Sequence, residues 1–102
     1  MAAYCLFDII EIHNEEAMNT YRNNVIDVVG KFKGKYIVIG NGTVKEGSYK
    51  PVYPVMIEFP SLDLAEAWYN SKEYSKLKEL RLAAVTSNAI FFDGFVPNHE
   101  TY

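Results

Sequence analysis

Apolar residues along the chain keep two rhythms in turn, one alternating and one helical. From Tyr4 to Ile12 the pattern is strand-like. Tyr4, Leu6, Asp8, Ile10 and Ile12 fall on one face, and Cys5, Phe7, Ile9 and Glu11 on the other. Both faces are largely apolar, which predicts a strand covered on both sides. Asn14 is an N-cap, with Glu15 and Glu16 in the first turn where the helix dipole favours them. A helix to about Phe32 follows from the spacing of Ala17, Met18, Tyr21, Val25, Val28, Val29 and Phe32, and Gly34 ends it. Tyr36 to Ile39 reads as a second short strand, again apolar on both faces. Gly40-Asn41-Gly42 is a turn in which Asn-Gly supplies positive φ, and Thr43 to Lys45 is expected to resume an extended segment. Pro51 and Pro54 restrict pairing, so the third strand is expected from Val55 to Phe59. Val55, Ile57 and Phe59 line one of its faces, and Met56 and Glu58 the other.

The richest stretch runs from Val52 to Arg81. Ser61 caps a helix with Leu64, Ala67 and Trp68 as its apolar stripe. Asn70-Ser71 interrupts it, and Ser71 recaps a continuation with Tyr74, Leu77, Leu80, Arg81 and Ala84 in register. Asn88 to Asp93 is the last strand. The order β-α-β-β-α-β predicts an α+β, ferredoxin-like fold. Its four-stranded antiparallel sheet has strands one and three central and two helices on one face. Residues 1–102 read as one domain, with a core over 3–94 and a tail over 95–102 that is loose or packs on a partner. Helices cover only one face, yet the central strands are apolar on both. The uncovered face therefore predicts a homodimer whose sheets pack together.

Composition narrows the function classes. The chain has 102 residues, 49% hydrophobic and 23% charged, so it can bury an ordinary core. Its net charge is −3 and its only basic concentration is the Lys31, Lys33, Lys35 alternation, which argues against nucleic-acid binding. No apolar run is long enough to span a membrane. The N-terminus reads as a strand rather than a signal peptide, and a cytoplasmic location is expected. The single cysteine, Cys5, has no activating neighbour and reads as buried and inert. Cofactor motifs are absent, so no cofactor is expected. His13, beside Glu11, Glu15 and Glu16, has no second His or Cys to complete a metal site, and His99 lies alone in the tail; no metal is expected.

Several segments together resemble a known family. They are Ile57 to Ser61 (IEFPS), Ala65 to Tyr74 (AEAWYNSKEY) and Leu80 to Ala84 (LRLAA), with support from Tyr21-Arg22 and the Gly40 turn. The chain resembles domain of unknown function 1330, within the dimeric α+β barrel superfamily, from Ala3 to about Gly94. The resemblance implies a ferredoxin-like protomer and a barrel-forming dimer, but no particular reaction. Members often carry arginine where this chain has Ile39, and again near Tyr53. The loss of both removes cations that would favour an anion site beside the second and third strands.

Seven residues carry the candidate chemistry. Arg81 lies on or beside an apolar face and needs a partner. It is either an anion-binding group facing a pocket, or part of a structural salt bridge, or a snorkelling edge residue. Glu58 and Asp8 sit mid-strand in the two central strands. Pairing with a residue-number sum near 64 would bring them close, raising one pKa toward general acid/base work. Alternatively each is paired, for example with Arg81, or faces a hydrated groove. Trp68, Tyr69 and Tyr74 either line a pocket for a flat ligand or belong to the core, and Tyr69, off the main stripe, has the hydroxyl expected to face a cavity. Tyr21 faces the core with its hydroxyl placed to reach a carboxylate. Three functions stay open. The first is small-molecule binding in a cavity between sheet and helices, lined by Tyr21, Glu58, Trp68, Tyr69 and Arg81. The second is a cofactor-independent enzyme, monooxygenase- or isomerase-like, in which Glu58 or Asp8 abstracts a proton and Tyr69 or Arg81 stabilises the anion. The third is a structural or interaction module.

Overall fold

A computed structural model describes residues 1–96. The elements are β1 (Ala3–Ile12), α1 (Glu15–Lys31), β2 (Lys35–Ile39), β3 (Pro54–Phe59), α2 (Leu62–Tyr69), α3 (Lys72–Ala84) and β4 (Val85–Asp93). All strand pairs are antiparallel, in the order β2-β3-β1-β4, so β1 and β3 are central. This is the α+β, ferredoxin-like arrangement with its second helix split in two. The split follows from capping. Ser61 Oγ accepts from Leu64 N–H at 3.2 Å, and Ser71 Oγ accepts from Tyr74 N–H at 3.0 Å to restart the helix. Likewise Asn14 Oδ1 accepts from Ala17 N–H at 3.0 Å and starts α1. His99 and most of the tail lie outside the described residues. No helix among those described is long and apolar enough to cross a membrane.

The core lies on one side of the sheet. Trp68, Tyr74, Phe59, Ile57, Val29 and Cys5 are its largest fully buried side chains. Trp68 is its centre, packed at a tilt against Tyr74 at 4.3 Å and against Phe59 at 5.5 Å between ring centroids. The molecule is only 16 Å deep between Cα atoms along its shortest axis, which leaves room for one helical layer and the sheet. Burial pushes the Cys5 thiol up to about 12, with the Glu66 charge adding to it, so this cysteine stays a thiol.

Four expectations change in detail. A bulge between Ile9 and Glu11 breaks the alternation of β1, so residues after Ile9 no longer keep the faces that a simple period of two assigns. Strand β4 begins at Val85, directly from α3, because Val85 N–H still donates to Arg81 C=O while its own backbone is already extended. Thr43 to Lys45 form no strand. Ala67 faces solvent, and Ala65 takes its place in the core. Positive φ falls at Gly40 (67°) and Asn41 (56°), and at Lys33 (66°) rather than Gly34. Gly34 is needed for space instead: a Cβ there would lie 2.5 Å from Phe59 Cε2.

Gly34→Ala is expected to cost about 1–3 kcal/mol by overpacking against Phe59. Gly30, in α1, has nothing within 4 Å of an added Cβ. Gly30→Ala should therefore be neutral or stabilising by up to about 1 kcal/mol. Urea unfolding of both variants measures the contrast.

Candidate functional site

The aromatic cluster around Trp68 fills only part of the space beneath the helices. Between α1 and the sheet lies a cavity of about 700 Å³. The sheet contributes Phe7 and Ile9 from β1, Tyr36 and Ile39 from β2, and Val55 and Ile57 from β3. The buried stripe of α1 contributes Met18, Tyr21 and Val25. Ile10, Ile26, Ile39 and Tyr53 are exposed where they line it, and they make an apolar mouth. The polar lining is sparse: Arg81 and Ser87 within, and the exposed Glu11, Glu15 and Arg22 at the rim.

Arg81 is 3% exposed. Its Nε donates to Tyr74 Oη at 3.2 Å and its Nη1 donates to Ser87 Oγ at 3.1 Å. Tyr74 and Tyr21 share a hydrogen bond of 2.7 Å between their hydroxyls. The guanidinium lies 5.2 Å from the centroid of the Phe7 ring and 6.0 Å from that of Tyr21. Its Nη2 is buried with no hydrogen-bond partner among the described residues. Burial alone disfavours the arginine charge, but the Tyr74 and Tyr21 oxygens outweigh it, and the Arg81 pKa lies above its ordinary value. Burial raises the Tyr21 pKa strongly, and the Tyr74 hydroxyl adds to this. Burial also raises Tyr36, and it raises Tyr74 despite the adjacent Arg81 charge. The group at neutral pH is thus one cation held by neutral hydroxyls.

Of the residues singled out from sequence, the structure brings Tyr21 and Arg81 together on the cavity. Four others lie elsewhere. Glu58 sits opposite Tyr4 and Lys35, on the sheet face away from the helices, and its Oε1 is 3.3 Å from Lys35 Nζ. It is therefore not the partner of Arg81. Asp8 pairs with Pro54, four positions along β1 from Tyr4, which separates it from Glu58 by roughly 13 Å of strand. The expected carboxylate pair does not form. Asp8 instead accepts from Val52 N–H at 2.9 Å and Tyr53 N–H at 2.8 Å, fixing the start of β3. Trp68 is core. Tyr69 packs on Trp68 and Phe91, with Lys78 Nζ 4.3 Å from its ring centroid, and does not line the cavity. The Tyr21 hydroxyl meets Tyr74 rather than a carboxylate. His13 Nε2 is 2.7 Å from Thr86 Oγ1 at the surface. Tyr36 and Ser87 were not singled out as site residues from sequence, and Tyr74, read as pocket or core, is core and links Tyr21 to Arg81. Tyr74 had a signal, since it lies seven residues before Arg81 on the same helical stripe.

The family described as Domain of unknown function (DUF1330) matches residues 2–95. The chain belongs to this family. A search of curated proteins finds no match. Among solved structures, a protein of unknown function from Rhodopseudomonas palustris is similar at 17% identity and TM-score 0.71, over 94% of this chain and 84% of that one. SnoaB, a cofactor-independent oxygenase from Streptomyces nogalater, is similar at 12% identity and TM-score 0.56, over 97% and 96%. A dimeric protein of unknown function and ferredoxin-like fold from Bacteroides fragilis is similar at 10% identity and TM-score 0.52, over 91% and 96%. At these identities the likeness is one of fold.

The raised tyrosine pKa values make a pH prediction. The native state holds these protons more tightly than the unfolded chain does. The stabilisation is complete below the unfolded tyrosine value of about 10 and is lost as pH rises past it. Urea unfolding should show stability falling between about pH 9 and about pH 11, and Tyr21→Phe should make that fall shallower.

Proposed function

We propose that the protein is a homodimer that binds a small, largely apolar molecule in the cavity between α1 and the sheet. The observation that carries the binding is the cavity itself. Its volume of about 700 Å³ suits a drug-sized ligand, and its wall is apolar with a few convergent polar groups. The mouth, with Ile10, Ile26, Ile39 and Tyr53, is itself apolar and exposed, which favours entry of such a molecule. Neither Glu58 nor Asp8 lines this space, so the binding reading is preferred to catalysis by a strand carboxylate.

The uncovered sheet face supports the dimer. Strand register puts Tyr4, Leu6, Val38, Met56, Ile90 and Phe92 on it. Contiguous apolar surface of this kind marks an interface, and a two-fold pairing closes it. The Bacteroides fragilis protein of the same fold is described as dimeric.

Light scattering should give twice the 11.7 kDa chain mass, and Phe92→Glu should shift it toward the monomer. A stable wild-type monomer would contradict the dimer. In a thermal-shift screen of apolar metabolites, a ligand at ~100 times its Kd should raise Tm by roughly 10 °C. Val25→Trp, which fills the cavity, should abolish that shift. A shift that persists unchanged in Val25→Trp, or no stabilising ligand at all, would contradict binding in this cavity.

A further inference from the structure

Two side-chain donors are buried without a hydrogen-bond partner among the described residues, Trp68 Nε1 and Arg81 Nη2. They differ in what surrounds them. Trp68 is sealed among aromatic rings and does not line the cavity. Arg81 does line it. Arg81 also takes part in none of the ion pairs formed among the described residues, and the groups that hold it, Tyr74 and Ser87, are neutral. A guanidinium at 3% exposure with no counter-charge among the described residues is destabilising, and an unused donor adds to that cost. An anion entering the cavity beside Arg81 would supply the counter-charge.

We infer that Arg81 anchors a single anionic group, of carboxylate or enolate type, on a ligand whose remaining body is apolar. The inference rests on the cavity being a binding site, and it names the class of molecule bound there. The rest of the lining sets the charge at one. The other ionisable carboxylates and cations on the lining are Glu11, Glu15 and Arg22, all exposed at the rim. Arg22 Nη1 already lies 3.8 Å from Glu15 and donates to Asn19 Oδ1 at 2.8 Å. The rim thus carries two carboxylates against one engaged cation and repels a polyanion such as a phosphate ester. Inside, Met18, Val25 and Ile57 give the ligand body a largely apolar wall.

The test uses the full chain and two probes of one shape, 2-naphthoate and its neutral amide, with binding measured by calorimetry. Wild type should bind the acid tighter by roughly tenfold or more, the advantage that a charge-assisted hydrogen bond confers. Arg81→Met should bind acid and amide alike, and Arg81→Lys should keep part of the preference. Val25→Trp should lose both. Equal affinity for acid and amide in wild type would overturn the anion inference and leave the cavity reading intact. So would an acid preference that survives in Val25→Trp, since it would come from elsewhere. If neither probe binds wild type, and decanoate and decanamide also fail, both readings are overturned. The wild-type comparison decides the matter even where Arg81→Met does not fold.

Discussion

Among the described residues three helices have to cover four strands from one side, and most of the molecule follows from that constraint. The cover is uneven. Around Trp68 the layers interlock, with Tyr74, Phe59, Phe7 and Phe91 supplying rings at centroid distances of 4.3 to 6.4 Å. Beneath α1 they do not, and a space of about 700 Å³ remains. Interiors are normally packed to crystal-like density, and this space, open to solvent at its apolar mouth, stands apart from the packed core. The other consequence is the bare face of the sheet, where the same strands present a second apolar surface.

Arg81 stands where the filled and hollow parts meet. It belongs to the helix that completes the aromatic core, yet it also forms part of the cavity wall. Its surroundings keep its charge without neutralising it. Phenol and serine oxygens accept two of its N–H groups, ring faces lie beside its plane, and no carboxylate among the described residues pairs with it. A packed hydrophobic residue would stabilise the protomer more. An interior cation with no counter-charge among the described residues fits the proposed anion anchor better than a purely structural role.

The fold was legible because its signals are local and redundant. Asn14, Ser61 and Ser71 cap helices as their side chains require, and the periodicities give the elements between them. The resemblance carried by Ile57 to Ser61 and Ala65 to Tyr74 agreed with that reading. The site was legible only in part. Arg81 and Tyr21 stood out as a charge and a hydroxyl on apolar stripes, and both line the cavity. Glu58 and Asp8 stood out for the same reason, but their roles depend on strand register, and register is a long-range property. The observed pairing puts Tyr4, not a residue near Asp8, opposite Glu58. Tyr69 lay off its stripe, which suggested a cavity, but the nearby Lys78 and Phe91 occupy its surroundings. The bulge after Ile9, which brings four consecutive residues of β1 onto the cavity wall, has no signature in a single sequence.

The account turns on whether a ligand's charge meets Arg81. Side-chain NMR of the Arg81 guanidinium during titration with 2-naphthoate and with 2-naphthamide observes that contact directly. The account predicts that the Arg81 Nε and Nη signals shift with the acid far more than with the amide. Unmoved Arg81 signals while residues on the open sheet face shift would contradict it.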